Sequence, residues 1–146
     1  MDEIEEFKQY IKDFIEKPHE AFDGLPVCPF AHSAKINFLV FDTITKTGIL
    51  DHHKNNDKEM LIIIIKNIEI NDLSLLVKSI SVESEDCFVF GGHPLDDFNI
   101  NGLYTRRDPY CNIQIVKKER LLEARDSLKK SYYNNWNKEN LEDVGL

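Results

Sequence analysis

Two stretches of the chain hold residue types suited to chemistry. The first, "GLPVCPFAHSAKI" at 24–36, sets Cys28 and His32 four residues apart among prolines. If 29–33 form one helical turn, Pro29 takes the first helical position, where its missing N–H costs nothing, and Cys28 becomes the N-cap. A thiol there meets the positive end of the helix dipole and open N–H groups, which favours thiolate. His32 lies near the same side of that turn and adds positive charge as imidazolium. The opposing reading is a proline-shaped connection in which Cys28 fills a small apolar hole beside Phe30.

The second stretch, "GGHPLDDFNINGLYTRRDPY" at 91–110, follows an apolar strand pattern. It gathers His93, Asp96, Asp97, Tyr104, Arg106, Arg107 and Asp108 into one long loop. Loops at strand ends are where a rigid scaffold holds polar function. Adjacent arginines suit a carboxylate or phosphate, which guanidinium grips in a fork. His93 is the acid/base candidate there, because imidazole titrates near neutrality. Asp96, Asp97, Tyr104, Arg106 and Arg107 form the candidate substrate-binding set. The opposing reading is internal pairing of the arginines with Asp96, Asp97 or Asp108 to hold the loop in place.

Other chemistries find little support. Cys28, His32 and His93 supply three zinc-type ligands, and an aspartate completes a set, yet the spacing matches no known zinc motif. No metal is therefore assigned to the site. His52-His53 reads as a solvated pair in a polar connection. There is no phosphate-binding loop, dinucleotide fingerprint or Gly-x-Ser-x-Gly, so no cofactor is expected.

Composition narrows the class. The 146 residues suit one domain, 1–146, with one core. A net charge of −8 argues against nucleic acid as partner, because phosphate binding needs a basic surface. The cluster Lys117, Lys118, Arg120, Arg125, Lys129 and Lys130 reads as a solvated helix face. No apolar stretch reaches membrane-spanning length. The acidic opening "MDEIEEF" is the reverse of a targeting peptide, and a cytoplasmic location is expected. There are three cysteines and no Cys-x-x-Cys. Cys87 and Cys111 sit in apolar strand patterns and read as small core hydrophobes.

The elements that must position these groups follow from periodicity. Ile4, Phe7, Ile11, Phe14 and Ile15 give a helix that Asp2 and Glu5 can cap and Pro18 ends. "KINFLVFDTI" (35–44) has apolar residues on both faces and reads as an interior strand. Residues 45–57 read as a polar connection. "MLIIIIK" (60–66) is the central strand. Leu73, Leu76, Val77 and Ile80 give a second helix, with Asn71 or Asp72 as N-cap. "DCFVFG" (86–91) is a third core strand, and a small hairpin is expected around "NING". "CNIQIV" (111–116) alternates and reads as a half-exposed strand. A last helix spans about 118–131. The fold class is α+β, ordered α-β-β-α-β-β-α, with a four-stranded sheet covered on one face by helices.

"LPVCPFA", "HPLDDFNINGLYTRRDPY" and the later "YYNNW" together resemble signatures of small proteins of uncharacterised function that share an N-terminal Cys-Pro-Phe-Ala. That resemblance spans much of the chain and implies no activity. The stretch at Cys28 is also similar to the Cys-Pro-Phe-Cys of thioredoxin-like oxidoreductases. Ala31 stands where the second cysteine would be, and an acidic helix where the preceding strand would be, so dithiol exchange is not implied.

Three functions compete at this level. One is a binding or accessory module whose 91–110 loop recognises a small anion or a protein partner. Another is a small enzyme using Cys28, with His32 or His93 as acid/base and the arginines as anion clamp. The third is a metal-binding protein. The first is the reading carried forward, because the enzyme needs a convergence of distant residues that spacing alone does not establish.

Overall fold

The computed structural model describes residues 2–16, 18–19, 25–26, 35–100, 102–126 and 138–143. Helix α1 (Glu3–Tyr10) starts at Asp2, whose carboxylate accepts the Glu5 N–H at 2.8 Å. It continues as a π-helical stretch, Ile11–Ile15. β1 (Pro18–His19) and β2 (Leu25–Pro26) pair antiparallel.

The main sheet is built from β3 (Ile36–Phe41), β4 (Met60–Ile65), β5 (Cys87–Gly92) and β8 (Asn112–Lys117). Their spatial order is β3-β4-β8-β5. β3 and β4 run parallel, while β8 lies antiparallel to both β4 and β5. Thus β3, β4 and β5 share one direction. The crossovers between them are helices α2 (Lys46–Lys54) and α3 (Ile70–Glu83). Between β5 and β8 a long loop carries the hairpin β6 (Asn99–Ile100) and β7 (Leu103–Tyr104), as expected around "NING". Gly102 turns that hairpin at a φ of 87°. β8 leads directly into α4 (Lys118–Asp126), and α5 (Lys138–Asp143) is short.

The class is α+β, as expected, but helices cover both faces of the sheet rather than one. Leu61, Ile63 and Ile65 of β4 pack with Ile49 of α2 and with Leu73 and Ile80 of α3. Met60, Ile62 and Ile64 pack on the other side with Phe7 and Ile11 of the first helix and Leu121 of α4. The physical reason lies in β4 itself. A strand apolar at every position needs cover above and below, and all six of its residues are buried.

The element order changes for a related reason. The expected polar connection 45–57 contains α2, so a helix separates the first two strands of the main sheet. Thr45 caps it by accepting the Gly48 N–H at 3.1 Å, and Ile49 is fully buried beneath it. The strand at 36–41 is an edge strand, not an interior one. Its two apolar faces reflect layers above and below, not neighbours on both sides. Conversely, β8 is interior rather than half-exposed, because it inserts between β4 and β5.

Two polar contacts set α1 against the carboxyl ends of the parallel strands. Lys66, just past β4, pairs with Glu3 at 2.5 Å. The Tyr110 hydroxyl donates to Glu6 at 2.8 Å. Among the described residues no helix is long and apolar enough to cross a membrane.

Candidate functional site

The loop from His93 to Cys111 leaves the carboxyl end of β5. In open sheets with parallel strands and helical crossovers, ligands gather at that end. The loop is held by its own polar groups. The His93 N–H donates to the Arg106 carbonyl at 3.0 Å, which closes the loop at its base. His93 Nδ1 accepts the Leu95 N–H at 3.1 Å. In the neutral ring the proton therefore sits on Nε2. Asp96 turns the chain by accepting the Phe98 N–H at 2.8 Å.

The two arginines do different things. Arg107 Nε donates to the Asp96 carbonyl at 2.9 Å, and its guanidinium lies 3.6 Å from the Asp97 carboxylate. The same guanidinium stacks on the Tyr104 ring, with 3.7 Å to its centroid. Arg107, Tyr104, Asp96 and Asp97 thus form one brace on the outside of the loop. Arg106 points elsewhere. Its guanidinium lies 3.8 Å from the centroid of Phe98 and 5.9 Å from that of Phe90.

Arg106 also lines a cleft of about 120 Å³ between the loop and α3. Ser74 and Lys78 line the α3 side, Gly91 the strand, and Asp96 the loop. Small-molecule pockets usually hold roughly 300–1,000 Å³, so this cleft is small by comparison. A Cβ at Gly91 would stand 3.1 Å from Val77, so this residue lets α3 approach the strand closely.

Beneath the loop lies a buried polar cluster that joins Asp108 of the candidate loop to Asn112 and Gln114 of β8, two residues that the sequence pattern places outside the site. Asp108 is only 3% exposed. Its Oδ2 accepts from Asn112 Nδ2 at 2.7 Å and from Gln114 Nε2 at 3.4 Å. Asn112 Oδ1 in turn accepts from Gln114 at 2.9 Å. The Tyr10 hydroxyl faces this carboxyl from α1, buried and without closing a hydrogen bond. Burial pushes the Asp108 carboxyl up to about 6. The Asn112 bond, the Tyr10 hydroxyl and the Arg106 charge oppose that rise, and Asp96 adds to it. Burial, with the charge of Asp108, likewise raises the Tyr10 hydroxyl above its ordinary range. Alternation in "CNIQIV" reads as a solvent face at Asn112 and Gln114. The usable signal was Asp108 four residues upstream, an acceptor for exactly such amides once the strand is interior.

Cys28 and His32 lie outside the described residues. Cys87 and Cys111 are buried and unpaired, as expected of core thiols. Burial, with Asp86 beside it, pushes the Cys87 thiol up to about 11. Burial also raises Cys111, which approaches the Ile68 carbonyl at 3.7 Å. The two histidines read as a loop pair sit in the last turn of α2. His52 is exposed, with its ring 5.2 Å from that of Phe41, whereas His53 is half-buried against Cys87.

The cleft is thus lined by two basic residues, Arg106 and Lys78, and one acidic residue, Asp96. Comparison with protein-family models, with curated proteins and with solved structures found no match. The functional reading therefore rests on the geometry of this chain.

Proposed function

We propose that the protein is a small binding module that receives an anionic group, a carboxylate or a phosphate, in the cleft between α3 and the 93–110 loop. One observation carries the reading: Arg106, resting on Phe98, and Lys78 of α3 line the same cleft. A guanidinium supported on an aromatic face loses little freedom when it binds, which favours recognition at low entropic cost. The net charge of −8 supports a small anion over nucleic acid. Two buried unpaired thiols support a reducing, cytoplasmic setting.

The test is titration of the native protein with inorganic phosphate, sulfate and a dicarboxylate, followed by amide chemical shifts. Shifts should cluster at Ser74, Lys78, Gly91 and Arg106. Arg106→Gln and Lys78→Gln should each weaken binding severalfold, while Arg107→Gln leaves it within a factor of about two. Equal loss in Arg106→Gln and Arg107→Gln, or no saturable shift at the cleft, would overturn the reading.

A further inference from the structure

The opposite end of β5 holds a second cluster of side chains, unrelated to the loop. His53 lies in the last turn of α2, Asp86 precedes the strand and Cys87 opens it. Their donor atoms all lie within 4.8 Å of one another. His53 Nε2 and Cys87 Sγ are 3.7 Å apart. We propose that His53, Asp86 and Cys87 form a binding site for a single divalent cation of the zinc type, with a fourth position open to water or an incoming ligand.

The spacing fits the ion. A tetrahedral zinc with Zn–S near 2.3 Å and Zn–N near 2.0–2.1 Å separates those two ligand atoms by about 3.6 Å. The His53–Cys87 pair therefore stands close to the separation a tetrahedral ion needs, while the Asp86 carboxylate, within 4.8 Å of the other ligand atoms, closes on the metal by a side-chain shift of up to about 1 Å. The donor set selects the class: thiolate and imidazole favour zinc or cobalt, whereas calcium and magnesium take oxygen ligands. Three protein ligands and an open position is the pattern of reactive rather than closed structural zinc sites. Asp86 is exposed and gives the ion a route in, while Cys87 is buried and holds it from below.

Charge balances on binding. The cation displaces the Cys87 proton and forms an S–metal bond; with thiolate, carboxylate and neutral imidazole, the site becomes neutral and one proton is released. Lys117 and Lys118 are the nearby cations acting on this thiol: they favour thiolate but repel the metal. His53 Nδ1 has no partner to fix the ring, and such a missing support typically weakens metal sites 10–100-fold. Affinity should accordingly fall well below that of closed structural zinc sites.

The test is titration of the native metal-free protein with Co²⁺, then displacement by Zn²⁺. One Co²⁺ per chain should bind, with the visible bands of tetrahedral cobalt, a thiolate-to-cobalt charge-transfer band and release of one proton. Cys87→Ser should abolish the charge-transfer band. Asp86→Asn, an exposed change, should keep the circular dichroism of the parent and weaken Co²⁺ at least about 10-fold, as should His53→Gln. Cys28→Ser and Cys111→Ser should leave the spectrum unchanged. Absence of the band at saturating Co²⁺, its survival in Cys87→Ser, unchanged affinity in Asp86→Asn, or its loss in Cys28→Ser would overturn the proposal. None of these readouts depends on Lys78 or Arg106, so the anion cleft and the metal site stand or fall separately.

Discussion

The Asp108 carboxylate lies against the Cα of Gly92, in the space that a Cβ at position 92 would occupy. Oδ2 of Asp108 and Nδ2 of Asn112 would both overlap such an atom. The loop after β5 thus returns over its own starting point and locks there through a buried carboxyl. Gly92→Ala should force that carboxyl off Asn112. Overpacking of this kind costs about 1–3 kcal/mol, and the lost hydrogen bonds add to it. In a double-mutant cycle with Asp108→Ala, the combined loss should be smaller than the sum, because either change alone breaks the same contact. Strict additivity in urea melts would refute the coupling.

Asp108 also makes stability depend on pH. Its folded value, about 6, lies above the ordinary 3.8. Below about pH 4 the group is protonated in both states and imposes no penalty. As pH rises through 4 to 6, the unfolded chain loses the proton first, and folding stability falls. At about 1.4 kcal/mol per unit the full effect is on the order of 3 kcal/mol. Asp108→Asn keeps an acceptor for Asn112 and removes the titration. The stability of the variant relative to the parent should therefore climb between pH 4 and 7 and then level. Parallel curves across that range would show that Asp108 does not carry the penalty.

Much of this fold can be read from the residues alone, and the failures share one cause. Strand β4, helix α3 and the Gly102 hairpin follow from local pattern, because apolar runs, helical spacing and a left-handed glycine are local signals. Neighbours across the sheet are not local. Asn112 and Gln114 look like a wet face until β5 and β4 flank β8 and Asp108 folds back on them. Helix α2 was hidden because its charged and histidine residues mask a stripe that rests on Ile49 alone among its buried residues. Within the loop, residue types raise the expectation of an anion site, but only the fold separates Arg106, which lines the cleft, from Arg107 in the brace.

That separation predicts how the loop responds to each change. Arg107→Ala removes the hydrogen bond to the Asp96 carbonyl and the stacking on Tyr104. The side chain is 43% exposed, so global stability should change by less than about 1 kcal/mol. Local opening should increase instead. Amide exchange at Leu95, Phe98 and Gly102, whose N–H groups bond within the loop, should accelerate. Unchanged exchange at all three would remove the brace from the account.

The two-sided sheet makes a sharper demand on β4. A sheet covered on one face would tolerate truncation of alternate residues. Here Ile63 lies under α2 and α3, and Ile64 lies under the first helix and α4. Both are fully buried. Ile63→Ala and Ile64→Ala should each cost about 2–5 kcal/mol, through lost burial and the cavity left behind. Leu75, two-thirds exposed on α3, provides the contrast. Leu75→Ala should stay within about 0.5 kcal/mol. Denaturant midpoints at constant slope measure all three. A large loss at Ile63 with none at Ile64 would mean that the layer formed by the first helix and α4 does not close over the sheet in solution, and with it the burial of Asp108 beneath Tyr10 would fail.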